Sequence, residues 1–500
     1  MPRTTRLVRP GLVLGICCLS LLIVGVDNTI VTIGLPQIRQ DMHASFSSAQ
    51  WTVDAYQLVL GAFLLTAGAT ADRWGRRLTL QTGLAVFTIA SALCAAAPTI
   101  GWLIGSRVVQ ALGGSMMNPV AIAIVTQVYP DARRRAHAFG IWSGVYGLSM
   151  AIGPVLGGFL VQHAGWRSIF WVNIPIGVIA IGLCAWAVPE SKSPTRRRFD
   201  AIGQALVIVI LLALTYAIIE GNSLGWASAR IIVLAVIVLV CAAALVWWEG
   251  RVPEPVVDPL FFRSAPFSGA ILIALIGMGG TAGYLWVVTF YLQDARGLSP
   301  ASAGALMLPI AAMVLIVAPL SGRLAARHGP RIPLAISGCC VAISAALLTR
   351  LHQHTSLLVL LTSFVVFGIG FGMLNAPITN AAVAGMPKSQ AAVASAVAST
   401  GRQVGQALGV AIVGAVVVNR INLRAVATSL PAASRPGWWV ITAAGALVVV
   451  IAIVTTTRRA RRTTERVREL LDEEHPEPPD PQQPGSELIT RRFPQPEDVR

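Results

Sequence analysis

What most constrains this chain is the recurrence of long apolar runs along almost its whole length. A first group of six covers Gly11–Leu35, Trp51–Ala69, Leu78–Ala97, Trp102–Val125, Ala138–Val161 and Ile169–Val188. A separate pair follows at Ala201–Ile219 and Ile231–Trp248. A second group of six covers Phe267–Leu292, Ala301–Leu320, Ile332–Leu348, Leu357–Ala384, Ala394–Val418 and Trp438–Val454. Runs of roughly 18 residues are long enough to cross the hydrocarbon core of a bilayer as helices. Unpaired backbone groups cannot face lipid, so the spanning segments must be helical. The first run is too long for a signal peptide and is read as a helix.

Two short turns organise these runs. Gly68-Ala-Thr-Ala-Asp72-Arg73-Trp-Gly75-Arg76-Arg77 separates the second run from the third. The pattern returns as Gly322-Arg-Leu-Ala-Ala326-Arg327-His-Gly329-Pro-Arg331 after the second run of the second group. Gly68, Arg73, Gly75 and Arg77 each have a counterpart there. Duplicated charged turns at matching places are the mark of transporters built from two halves. Eight runs separate the two turns where six would suffice, so the extra pair lies between the halves. The expected organisation is an N-terminal tail at 1–10, a six-helix bundle at 11–188, and a linker with two extra helices at 189–266. A second six-helix bundle at 267–454 and a tail at 455–500 follow. The fold class is an all-α polytopic membrane protein with 14 transmembrane helices.

Of the 500 residues, 55% are hydrophobic and only 12% are charged, about half the charged share of a soluble protein. The net charge of +16 does not point to nucleic acid, because the basic residues sit in the turns, where membrane topology places them. Only Lys192 and Lys388 of the 38 basic residues are lysine, a bias towards arginine that carries no function. With the N-terminus placed in the cytoplasm, cytoplasmic turns from Arg73 to Lys388 hold sixteen basic residues and outer loops from Arg39 to Arg435 hold eight. Both termini are therefore expected inside. The tail opens with Arg458-Arg459-Ala-Arg461-Arg462, expected against anionic headgroups. It then turns acidic and Pro-rich and is read as disordered and solvated.

Several chemistries are excluded. Neither lysine stands in a Gly-Lys-Ser/Thr phosphate loop, so the chain does not hydrolyse ATP. The seven cysteines lie within apolar runs without metal spacing, and no structural disulfide is expected. The seven histidines form no metal pattern beyond His352-Gln-His354. A membrane-embedded transferase would need a His/Asp or acidic cluster at a membrane face, which is missing. No catalytic residue, metal or cofactor is expected. Membrane lipids are expected partners.

Charges inside apolar runs are costly and mark pathways. Asp27 lies about eight residues, roughly 12 Å, from the outer end of the first helix. Arg107 lies about six residues, roughly 9 Å, inside the outer end of the fourth. The two share a depth and can pair. Asp54 near the outer end of the second helix, Glu220 at the outer end of the seventh, and Arg402 near the start of the thirteenth are secondary candidates. The fifth helix carries Gly140, Gly144, Gly147, Gly153, Gly157 and Gly158, and small residues let helices approach closely. Gly153-Pro154 permits a kink, which suits a moving interface.

Taken together, these residues resemble the major facilitator superfamily. The Gly68–Arg77 turn is similar to its signature loop. Arg107-Val-Val-Gln110-Ala-Leu-Gly113-Gly114 resembles its fourth-helix motif. Gly153-Pro154-Val-Leu-Gly157-Gly158 resembles the fifth-helix antiporter motif, with Ser149 where a glycine is usual. The segments Asp27 to Pro36 and Trp166 to Gly177, the latter including Asn173, resemble the fourteen-helix drug:proton antiporter branch. The resemblance spans roughly residues 11 to 455. It implies alternating access and proton-coupled multidrug efflux of lipophilic, often cationic compounds from a bacterial inner membrane. An exporter dedicated to one metabolite, antibiotic or lipid shares the same fold. On this chain the resemblance makes Asp27 the proton or substrate carboxyl and Arg107 its coupling partner. It makes Asp72, Arg73, Gly75, Arg76 and Arg77 a cytoplasmic gate. Ala326 stands at the acid position of the second turn and cannot supply the same charge.

Overall fold

A computed structural model describes residues 9–192, 200–252, 258–384, 386, 390–422 and 424–474. Within these spans the side chains at 65, 69, 72, 132, 133, 136, 143, 150, 151, 222, 391, 392, 458, 461 and 471–474 are not described. The arginines at 196–198, Lys388 and the acidic tail therefore lie outside the described residues.

The described chain is built from helices. In order they are α1 Pro10–Asp41, α2 Phe46–Trp74, α3 Arg76–Ala95, α4 Ile100–Val128, α5 Ala132–Ala164, α6 Ser168–Ala187 and α7 Ala201–Leu224. Then come α8 Ala229–Glu249, α9 Ala265–Ala295, α10 Pro300–His328, α11 Arg331–Arg350, α12 Leu357–Val383, α13 Ala391–Val418, α14 Val426–Thr455 and α15 Arg458–Glu474. Among the described residues, 13 helices are long and apolar enough to cross a membrane. The fourteenth long helix is α2, whose 29 residues run about 43 Å. Its hydropathy is lowered by Gln50, Asp54 and Gln57, all buried in protein rather than facing lipid.

The helices pack twice in the same pattern. In the first half α1 packs on α5, α2 on α4, and α3 on α4. In the second half α9 packs on α13, α10 on α12, and α11 on α12. The α9–α13 contact is backbone to backbone, since a Cβ at Gly409 would overlap Gly279. The turns that announced the duplication also match, because Gly75 (φ +122°) and Gly329 (φ +79°) both adopt the left-handed region that favours glycine. The halves meet along α2–α13, α5–α10 and α1–α9.

The extra pair sits to one side. Helix α7 bridges the halves, touching both α2 and α13. It is held to α2 by Gln204, which donates to the Ala62 carbonyl (2.7 Å) and accepts from Thr66. Towards α13 its contacts are apolar, through Leu211, Val404 and Ala407. Helix α8 packs on α7 and has no other substantial helix contact among the described residues. Leu239, Val240, Val246 and Trp247 on its flank are exposed, as lipid-facing side chains are. At its end Trp248 donates to Asp200, the cap of α7 (3.0 Å).

Two departures from the sequence reading have clear causes. The last spanning helix begins at Val426 rather than Trp438, running through Pro431 and Pro436. Proline frees carbonyls within a helix, but neighbouring hydroxyls can re-satisfy them. Here the carbonyl that Pro431 frees is that of Ala427, and a side-chain amide meets it instead: Gln353 Nε2 donates to it (2.9 Å). The second is α15, a helix at Arg458–Glu474 over the basic stretch, which the sequence reading did not anticipate. Ala460, Thr464 and Val467 form its buried stripe at helical spacing. Thr464 pairs with Ser264 (3.1 Å), and Thr463 accepts from the Ala265 N–H (2.9 Å), so α15 docks on the start of α9.

Candidate functional site

The deepest polar cluster lies where α1, α4 and α6 converge, with α2 beside them. Asp27 of α1 is 0% and Arg107 of α4 is 1% exposed. They form an ion pair at 2.5 Å, as their matching depth predicts. Both carboxylate oxygens are occupied, since Asp27 Oδ1 also accepts from Gln110 Nε2 (3.1 Å) and Asn173 Nδ2 (3.0 Å). Arg107 in turn donates through Nε to the Thr52 carbonyl of α2 (3.2 Å) and through Nη1 to Gln110 Oε1 (2.6 Å). Its guanidinium carbon lies 3.9 Å from the Tyr56 ring centroid. Ser91 completes the shell with a 2.8 Å bond to Gln110. A buried ion pair needs further hydrogen bonds to hold, and here Thr52, Gln110 and Asn173 supply them.

The cluster adjoins a cavity without opening into it. The cavity lies on the seam between the halves and is lined by Asn28 and Thr29 of α1, Val53 and Gln57 of α2, and Trp286 and Thr289 of α9, among others. Asp27 is not among the lining residues; its successor Asn28 is. Thr52 likewise precedes the lining residue Val53. The ion pair therefore fixes α1 and α2, two of the cavity walls of the first half, against α4. The cavity volume is about 50 Å³, room for a few waters at most. A drug-sized solute needs about 300 Å³ or more, so the walls must part to admit one.

On the face opposite the chain's start the seam is shut. Arg39 of α1 pairs with Asp294 of α9 (3.0 Å) and lies over Phe46, which contacts Phe290. Gln293 donates to the Ile33 carbonyl (2.8 Å), and Gln50 to the Val410 carbonyl (2.8 Å). Helix α5 takes part through its small residues. Gly153 and Gly157 press on Thr29, Ile30 and Ile33 of α1, within the half. Gly158 faces the other half, where a Cβ would overlap the Pro300 carbonyl. Reciprocally, a Cβ at Gly304 would overlap the Pro154 carbonyl. Towards the face where the chain starts, the same helix is loosely covered. Gly140, Gly144 and Gly147 have no neighbour that a Cβ would touch, and a second cavity of about 640 Å³ opens between α1, α4 and α5.

The remaining sequence candidates separate. Asp54 is fully buried, and neither of its oxygens has a partner among the described residues. It sits one turn from Trp51 and Leu58, which pack towards α7 through Tyr216 and Leu211, and it does not line the cavity. Glu220 ends α7 and accepts from Ser223 (2.8 Å), remote from the cavity. Arg402 of α13 donates to Thr379 (3.1 Å) and Ser399 (2.6 Å), one turn from the lining residue Gln406.

In the signature turn, Arg77 Nη2 donates to the Ala185 carbonyl (2.6 Å) and Arg76 Nη1 to Gln127 (3.3 Å). Both ties stay within the first half. Arg73 is exposed, and the side chain of Asp72 lies outside the described residues. Glu190, which sequence reasoning missed, accepts from the N–H groups of Arg77 and Leu78 (3.2 Å each), capping α3 from outside the helix. A carboxylate at a helix N-terminus is favourable through both hydrogen bonds and the helix dipole. Glu190→Ala is expected to lower stability by about 1 kcal/mol, read as an earlier thermal unfolding midpoint in detergent. An unchanged midpoint would count against the cap.

Two packed six-helix halves, a cavity on their seam and a buried ion pair beside it define a secondary transporter. The chain belongs to the Major Facilitator Superfamily, whose family model matches residues 17–410. It is 36% identical over 398 residues to "Multidrug resistance protein Stp" of Mycobacterium tuberculosis, covering 80% of this chain and 74% of that one. It is 33% identical over 416 residues to the "Tetracenomycin C resistance and export protein" of Streptomyces glaucescens, covering 83% and 77%. Among solved structures, a D-xylose-proton symporter matches with a TM-score of 0.62 at 15% identity, over 89% of this chain and 97% of that chain. The last likeness concerns the fold alone.

Proposed function

We propose that this protein is a proton-driven efflux pump that exports lipophilic compounds across a bacterial cell membrane by alternating access. The observation that carries this reading is the buried Asp27–Arg107 pair, tied through Thr52 and Asn28 to two of the helices that wall the seam cavity. The export names of the relatives support the direction of transport. Protonation of Asp27 removes the counter-charge of Arg107, which still ties α4 to α2 through Thr52 and the Tyr56 face, and leaves Asp27 with neutral hydrogen bonds from Gln110 and Asn173. That loosens α1 against α4 and lets the cavity wall move. Loss of the proton restores the pair and the wall. Both termini and the Gly75 turn lie in the cytoplasm, where the signature-turn residues Asp72 to Arg77 act as a gate. The shut face then looks outward.

The test is proton-driven uptake of labelled drugs into everted vesicles from cells expressing the protein. Accumulation that collapses when a protonophore is added is the expected result. Accumulation indifferent to the pH gradient would remove proton coupling. Sidedness has its own check. In a background lacking the seven native cysteines, a cysteine at Thr195 is expected to label only from the cytoplasm and one at Thr428 only from outside. Labelling of both from one side contradicts the topology.

A further inference from the structure

We infer that the seam cavity recognises its cargo by neutral hydrogen bonds, and that the cargo is an uncharged, largely apolar molecule bearing a carbonyl-type acceptor and a hydroxyl or amide donor. The inference rests on the efflux reading and names the substrate class for that site. Three lining residues reach the cavity with a buried polar atom that has no partner among the described residues. They are Trp286 Nε1, Thr289 Oγ1 and Gln57 Oε1, on residues 1%, 0% and 3% exposed. Trp286 and Thr289 stand three residues apart on α9, hence on one face and about 5–6 Å apart at their Cβ atoms. Gln57 belongs to the other half. An indole N–H only donates and an amide oxygen only accepts. The hydroxyl of Thr289 can do either. Groups left unsatisfied in a buried site are what a ligand of complementary pattern satisfies, and an analogue lacking that pattern is rejected.

Charge recognition has no footing here. None of the described lining residues is charged. The Asp27 oxygens are taken up by Arg107, Gln110 and Asn173. Asp54 and Glu220 do not reach the cavity. One turn along α13 from Gln406 stands a cation, Arg402, held by two neutral hydroxyls with no acidic partner among the described residues. The titratable group that faces it from the other half is Tyr146. A lipophilic cation entering this cavity would lose its hydration without meeting a counter-charge and would approach a like charge.

Equilibrium binding to the full-length protein in nanodiscs, corrected with empty nanodiscs, tests this. The neutral probes are chloramphenicol and 1,8-dihydroxyanthraquinone. The permanent cations are ethidium and tetraphenylphosphonium. Saturable binding of the neutral probes is expected, with the cations at least about tenfold weaker. Trp286→Phe and Gln57→Leu should each weaken the neutral probes about tenfold, as loss of one buried hydrogen bond does. Thr442→Val should change nothing, because Thr442 of α14 does not line the cavity and its hydroxyl donates within its own helix, to the Trp438 carbonyl (2.8 Å). Cations bound as tightly as the neutral probes, absence of neutral binding, or wild-type affinity in both variants would overturn the inference. Neutral binding without energised transport would instead sink the efflux reading and leave the recognition chemistry standing.

Discussion

Asp27→Asn is expected to reduce proton-driven export to the background of vesicles without the protein, while the variant still folds and inserts. The amide keeps the shape and can still accept from Arg107, but it cannot titrate. The substitution therefore separates coupling from architecture. Arg107→Ala behaves differently, because it leaves a carboxylate in the protein interior with only neutral donors. Removing one member of a buried pair costs about 3–5 kcal/mol, so this variant should both lose transport and unfold earlier. The double variant Asp27→Asn with Arg107→Gln should recover much of the stability and none of the transport, since the lost stability belongs to an unpaired charge. A double-mutant cycle on unfolding midpoints measures that coupling. Gradient-driven export by Asp27→Asn at the wild-type rate would take Asp27 out of the mechanism. Asp54, whose oxygens have no partner, would then be the residue to examine.

The second large effect concerns the shut face. Gly158→Val and Gly304→Val each place a branched side chain against a backbone carbonyl of the other half. A carbonyl held in a helix cannot turn aside, so the closed arrangement loses about 1–3 kcal/mol to overpacking. The open arrangement has no such clash. The population should shift towards opening at that face by roughly tenfold to a hundredfold. Spin labels at Ser45 and His354, one in each half, should report a longer distance in the variants than in the parent protein. Gly147→Val is the control, since a Cβ there meets nothing, and it should leave the distance unchanged. Equal distances in all three variants would remove α5–α10 from the closure.

Much of this arrangement was legible in the residues. The duplicated turns located the two halves, and both glycines at 75 and 329 take the backbone conformation the turns need. The equal depth of Asp27 and Arg107 was enough to pair them, because helical rise converts position directly into height. What depth does not give is direction. Whether Asp27 faces the cavity or the interior of its own half depends on how α1 is rotated against α4 and α6, which no single run encodes. Gln110 lies one turn from Arg107 and carried a weak signal as its neighbour. Asn173 stood in a segment with a family resemblance but without a role, and Glu190, acting across a long chain separation, carried no signal. The cavity was illegible for the same reason. Trp286 and Gln57 read as ordinary interior residues until the halves are set together and their polar atoms are found without partners. The early start of α14 left no mark in the apolar run, because the carbonyl that Pro431 frees is met by Gln353 of a distant segment.

Helix α8 carries a different lesson. It leans on α7 and otherwise meets the bilayer, with large apolar side chains on its open flank. In informational terms most of it is nearly blank. Lipid asks only for apolarity and length, so Leu, Ile, Val and Ala are close to synonyms along that flank. The specific content is concentrated at its end, where Trp248 reads Asp200. A chain of this kind can therefore drift freely along α8 while holding that terminal contact, and sequence divergence between relatives should be steepest where the protein touches only its solvent.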